Sequence, residues 1–126
     1  MDEHQNLVNA LIAAFQSRGY TILKAAVTNY QAPEAIGRHE PDVIARDQQG
    51  VLVIGEAKTA NDLSSQTSIE QFVDFSNRIM SDGPLRGTKI PLHIIVPQNQ
   101  ANALRQVLAS LGLSIKIGES IFIWTN

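Results

Sequence analysis

The segment IPLHIIVP, residues 90–97, is almost unbroken apolar sequence and short enough to be one strand. Such a run reads as a strand buried on both faces, because a half-exposed strand alternates apolar and polar positions. A strand of that kind needs a covering layer above the sheet and another below it. The rest of the chain must supply those layers.

It does so in a definite order. Residues 2–18 carry Leu7, Leu11, Ile12 and Phe15 on one helical face, and Gly19 is a natural stop. YTILKAAV, residues 20–27, is rich in β-formers and reads as a strand. TNYQAPEAIGRHE, residues 28–40, has Pro33, Gly37 and no periodicity, so it is expected to be a loop that faces substrate. Residues 42–46 and 51–58 then read as the two arms of a hairpin around DQQG. Ser68-x-x-Gln71 resembles a capping box opening a helix whose stripe is Ile69, Phe72, Val73, Ile79 and Met80, with Phe75 at its margin. SDGPLRGT ends that helix. After the apolar strand, NQANALRQVLASLG forms a helix on Leu104, Val107, Leu108 and Leu111, stopped by Gly112. SIKI and SIFIWT follow as two short strands.

The expected order is therefore α-β-β-β-α-β-α-β-β, a single α/β domain over residues 1–126 with a mixed central sheet flanked by helices. No repeat or linker interrupts it. The chain has no cysteine, which removes disulfides, thiolate metal sites and cysteine nucleophiles. No apolar run approaches the roughly 20 residues of a membrane span, and MDEHQN is no basic signal start. No membrane partner and a cytoplasmic location are the expectation. A net charge of −2 argues against a simple DNA-coating protein, whose affinity rests on many Lys/Arg–phosphate contacts. It leaves room for an enzyme on nucleic acid, since acidic metal sites themselves lower the charge.

The hairpin RHEPDVIARDQQGVLVIGEAKT, residues 38–59, carries charges where a plain core strand would have none. Glu56 and Lys58 point the same way, because strand side chains alternate. With Gln48-Gln49-Gly50 as a three-residue loop and Gly50 left-handed, Asp47 faces Val51 and Asp42 falls opposite Glu56. A four-residue loop would put Asp42 on the other face; the position of Gly50 favours the first. Like charges directly opposed destabilise a sheet unless something neutralises them. Two facing carboxylates suit Mg²⁺ or Mn²⁺, hard cations that take oxygen ligands, and the carbonyl of Ala57 is a further oxygen. Lys58 stands to hold or deprotonate an attacking water near a scissile phosphate. Gly55 and Ala57, on the reverse face, are small enough for a helix to pack close behind. The bland alternative is a solvated Glu–Lys pair with Asp42 as a turn acid.

Pro41-Asp42 followed by Glu56-Ala57-Lys58 on a hairpin after one helix and one strand resembles the PD-(D/E)XK nuclease superfamily. The RGY helix end and the GEAKT strand most resemble small archaeal-type Holliday-junction resolvases. That resemblance implies a restriction-endonuclease-like fold and a divalent-metal-dependent endonuclease acting on DNA. It implies Asp42 and Glu56 as metal ligands and Lys58 as the residue serving the attacking water. Family members often carry another acid on the first helix, for which Glu3 is the candidate. Many also place a polar residue on the helix after the lysine, and Gln71 fits that position, where it would orient a water or phosphate. With no room for a separate recognition module, selection would come from substrate shape, a homodimer or a partner protein. The alternative is an inactive nuclease-fold module that binds nucleic acid or a partner.

Among the remaining residues, Arg38 and Lys24 are the expected phosphate contacts, and His39 either joins them or is an ordinary loop histidine. His93 reads as a core or edge residue and His4 as surface. Residues 121–124, Ile-Phe-Ile-Trp, are either a homodimer seam or the last core strand.

Overall fold

The computed structural model describes residues 2–126. Its sheet has five strands in sequential order: β1 (Thr21–Ala25), β2 (Val43–Arg46), β3 (Leu52–Ala57), β4 (Leu92–Val96) and β5 (Ile121–Thr125). β1, β2 and β3 pair antiparallel, while β3, β4 and β5 run parallel, so the sheet is mixed. Helix α1 (Glu3–Ser17) covers one face, and α2 (Gln66–Phe75) and α3 (Ala101–Ser110) cover the other.

β4 shows why both covers are needed. Leu92, Ile94 and Val96 enter the core under α2 and α3, whereas Ile95 enters the core under α1, and every residue of the strand is buried. Close packing on the α1 side depends on Gly55: a Cβ there would lie 2.7 Å from Leu11 Cδ2 and 3.3 Å from a Phe15 ring carbon. A methyl would force these packed side chains to shift, so glycine suits the close packing of this strand against the helix.

Local chemistry sets the element ends. Asp2 accepts from the Gln5 N–H at 2.8 Å while the Gln5 side chain accepts from the Asp2 N–H, closing a capping box ahead of α1. In the hairpin, Asp47 Oδ1 accepts from the N–H groups of Gln49 and Val51, both at 2.9 Å, and Gly50 has φ +96°. The turn is thus the three-residue loop, and Val43 pairs with Gly55.

Three expectations are corrected. The N-cap of α2 is Ser65, whose hydroxyl accepts from the Ser68 N–H at 3.1 Å; Ser68 lies inside the first turn and donates its own hydroxyl to the Asp62 carbonyl. The helix therefore begins one turn earlier than the Ser68-x-x-Gln71 pattern implies. It also ends at Phe75, because the Ser76 hydroxyl and the Asn77 amide both donate to the Val73 carbonyl and satisfy the helix end. Its buried stripe is Ser68, Gln71, Phe72 and Phe75, while Val73 and Ile79 are exposed. Finally, SIKI is a 3₁₀ turn (Ser114–Lys116) rather than a strand, with Ile115 exposed and only Ile117 bridging to Ile121. The observed order is α-β-β-β-α-β-α-β. Among the described residues, no helix is long and apolar enough to cross a membrane.

Candidate active site

The hairpin register places Asp42, one residue ahead of β2, opposite Glu56 near the end of β3. Backbone groups fix both carboxylates. The Asp42 N–H donates to the Gly55 carbonyl at 3.1 Å and to Glu56 Oε1 at 3.2 Å. The Ala57 N–H in turn donates to Asp42 Oδ2 at 2.9 Å. A strand residue's N–H and C=O point to the same neighbour, so the Ala57 carbonyl opens on the side where Asp42 sits.

On β3, Ile54, Glu56 and Lys58 share the face that looks toward α2, as strand alternation requires. Ile54 joins the core there, and the two charged residues continue the row toward the sheet end. Lys58 Nζ lies 3.6 Å from Glu56 Oε2 and also donates to Gln71 Oε1 on α2. All three side chains are buried: Glu56 is 1% exposed, Lys58 7% and Gln71 9%. The solvated cross-strand pair weighed as the bland alternative is therefore not what forms.

Burial pushes the Glu56 carboxyl well above the usual carboxylate range, and the negative charge of Asp42 pushes it further. Lys58 pulls the other way without restoring it. The neutral form of Glu56 is thereby favoured in the protein alone, and a divalent cation beside it would favour the charged form instead.

Asp42 has a further partner. His4, on the first turn of α1, places Nε2 3.2 Å from Asp42 Oδ2, reaching the site from the helix layer behind the sheet. His4 remains about a third exposed, as a surface residue would be, but its ring is engaged with the site. The signal was present: His4 lies three and four residues before the buried Leu7 and Val8, so it shares their side of α1 while staying half-buried. Glu3 lies off that stripe and is exposed. The hydrogen bond and charge of Asp42 raise the His4 pKa above its ordinary 6.5. Its contribution to stability is therefore fully present below pH 6.5 and fades as pH rises through the raised value. We expect the melting-temperature gap between wild type and His4→Ala to be larger at low pH than at high pH, as thermal denaturation across that range would measure.

The residues expected to contact phosphate have other partners. Lys24 Nζ is tied to Glu34 at 3.0 Å. Arg38 meets Asp74 through its backbone N–H, and His39 packs edge-on against Phe75. Arg38 and His39 line a groove of about 530 Å³ against the outer side of α2, with Ile69, Val73 and Arg78.

No three His, Cys, Asp or Glu side chains converge as a metal-holding group among the described residues. Two facing carboxylates and the nearby Ala57 carbonyl are the oxygen atoms that could hold a cation here. That set fits Mg²⁺ or Mn²⁺ held in part by substrate, since Mg²⁺ commonly takes one or two carboxylates together with substrate phosphates and waters. No protein-family model, curated protein or solved structure matches this chain.

Proposed function

We propose that the chain is a divalent-metal-dependent phosphodiester hydrolase, a DNA endonuclease of the PD-(D/E)XK type on a restriction-endonuclease-like fold. The observation that carries this reading is the convergence of Asp42, Glu56, Lys58 and Gln71 at the end of β3, with the Glu56 carboxyl buried against a second acid. The α-β-β-β-α-β order and the sequence resemblance of Pro41-Asp42 and Glu56-Ala57-Lys58 support it.

Each residue then has a separable task. Asp42 and Glu56, with the Ala57 carbonyl, would hold Mg²⁺ or Mn²⁺. Such a cation neutralises charge on the phosphate and lowers the pKa of water. An ammonium has three N–H donors, and Lys58 commits one to Gln71 and directs another at Glu56. The third remains for the attacking water or a non-bridging phosphate oxygen. Gln71 therefore acts on the lysine, fixing the direction of Nζ, and its amide N–H groups stay available to a phosphate. A domain this small would gain its choice of substrate, such as a branched junction, from substrate shape, a second copy or a partner protein.

One observation favours a second reading, an inactive nuclease-fold module that binds nucleic acid or a protein. Both Glu56 oxygens and Asp42 Oδ2 already face protein groups, so the network is held together without a cation. Incubation with labelled linear duplex, single strand, flap and four-way junction, in Mg²⁺ or Mn²⁺ and in chelator, separates the two. Cation-dependent cleavage of at least one substrate is expected. A folded protein that cuts none of them in either cation favours the inactive module.

A further inference from the structure

β5 is one outer edge of the sheet. The Leu92 N–H donates to the Ser120 carbonyl at 2.8 Å, and the Asn126 N–H donates to the Val96 carbonyl at 3.2 Å. Even-numbered residues thus bond to β4, and the N–H and C=O groups of Ile123 and Thr125 point away from the sheet. The carbonyl of Ile121, on the same outer side, is taken by the Gly118 N–H at 2.8 Å, which closes the edge at that end only.

The opposite edge is managed differently. The β1 register breaks between Ile22 and Lys24, which places a bulge and a charge there, and the Ala25 N–H donates to the Gln31 carbonyl. Charge, bulges and covering loops are how native sheets blunt an edge. β5, with the sequence Ile-Phe-Ile-Trp-Thr, has no charge or proline, and its register with β4 is unbroken.

A groove of about 290 Å³ runs beside this edge, lined by Ile117, Phe122, Ile123, Trp124, Arg18 and Arg105. The Arg18 guanidinium lies over the Trp124 ring, 4.6 Å from its centroid. Neither Arg18 nor Arg105 forms an ion pair among the described residues. The groove therefore offers free backbone groups, apolar side chains and two exposed positive charges with no acid among its lining residues.

We propose that β5 is a docking edge for an extended, acidic segment of a partner protein, which adds to the sheet as a sixth strand. Main-chain bonds to Ile123 and Thr125 would supply the affinity, while carboxylates meeting Arg18 and Arg105 would select the partner. A second copy fits less well. A symmetric pairing centred on the strand would set Arg18 and its stacked tryptophan against their own counterparts, placing like charges at the seam. This inference is independent of the hydrolytic site.

The probe is an end-blocked, fluorescein-labelled peptide of about eight alternating valine and glutamate residues, the length of an ordinary strand. It is titrated by polarisation against the full chain, beside a valine–lysine control. The glutamate peptide should bind saturably, and the lysine peptide at least about tenfold more weakly. Thr125→Pro removes an outward N–H without touching the β4 ladder and should weaken binding about tenfold at an unchanged melting temperature. Arg18→Glu with Arg105→Glu should reverse the charge preference, which keeps the test decisive if the proline variant is unstable. Absence of binding at millimolar peptide, or binding indifferent to these variants, would overturn the proposal. A dimer in sedimentation equilibrium that excludes the peptide and dissociates in Thr125→Pro would assign the edge to a second copy instead.

Discussion

Replacing Lys58 by methionine is expected to lower cleavage by at least about 100-fold while the chain remains folded, because a positioned donor to the reacting groups is lost. Methionine keeps most of the buried stem, so the loss reports the ammonium rather than a cavity. The same substitution carries a stability signature. Lys58 holds the Glu56 carboxyl down more than the Asp42 N–H does; without the lysine that carboxyl rises further. A group raised in the folded state contributes stability that is present below its unfolded value of 4.5 and is lost as pH rises through the folded one. The melting temperature of Lys58→Met should therefore fall progressively further below wild type as pH increases. Single-turnover cleavage and thermal denaturation over a pH series measure the two effects separately. Full cleavage in this variant would remove Lys58 from the mechanism.

The second large effect lies on the other face of the sheet. His93 is 2% exposed; its ring stacks on Phe122 with centroids 4.9 Å apart and receives the edge of Phe15 at 5.0 Å. Its Nδ1 accepts from Trp124 Nε1 at 2.8 Å, a bond that only the unprotonated nitrogen can accept. Burial, with the positive charge of Arg18, lowers its pKa to about 4. The sign follows: below pH 6.5 the unfolded chain binds a proton that the folded chain refuses, so stability falls as pH drops from 6.5 toward 4. The full shift is worth about 3 kcal/mol, a large share of an ordinary domain's stability and roughly 10 °C in melting temperature. Glu56 acts in the opposite direction over part of this window, so the informative quantity is the difference between wild type and His93→Gln. Glutamine keeps an acceptor for the tryptophan and does not titrate. The variant should lose most of the acid-induced fall, and equal slopes in the two proteins would show that His93 is protonated in the fold.

How much of this was legible in the sequence depends on what kind of signal each feature leaves. The doubly buried β4, the stripe of α1 and the hairpin register were all readable, because period, turn chemistry and the left-handed Gly50 act over a few residues. The pairing of Asp42 with Glu56 followed from that register alone. The limits of α2 were not readable in the same way. Ser65 and Ser68 are both capable caps, and the choice depends on the Asp62 carbonyl, which a turn in the preceding loop brings to Ser68. Ile79 continued a helical period that Asn77 had already ended. SIKI has strand composition, but Lys116 is drawn to Ser76 and Asn77, forty and thirty-nine residues away, and the segment turns instead. His4 shows the same limit: its place one turn before Leu7 and Val8 was visible, but its partner Asp42 comes from a different element.

The central claim, that Asp42 and Glu56 together hold a divalent cation, is tested most directly by thermal denaturation in increasing Mn²⁺ at about pH 7.5, comparing wild type with Glu56→Gln. Without cation the glutamine variant should be the more stable, since it removes a buried carboxylate that neither burial nor Asp42 favours. A ligand selective for the folded state stabilises it by about 2.7 kcal/mol at 100 times its dissociation constant. Mn²⁺ should therefore raise the wild-type melting temperature steadily and leave Glu56→Gln nearly unmoved. A wild-type protein indifferent to Mn²⁺, or an equal rise in both proteins, would contradict the assignment of this carboxylate pair as the cation site.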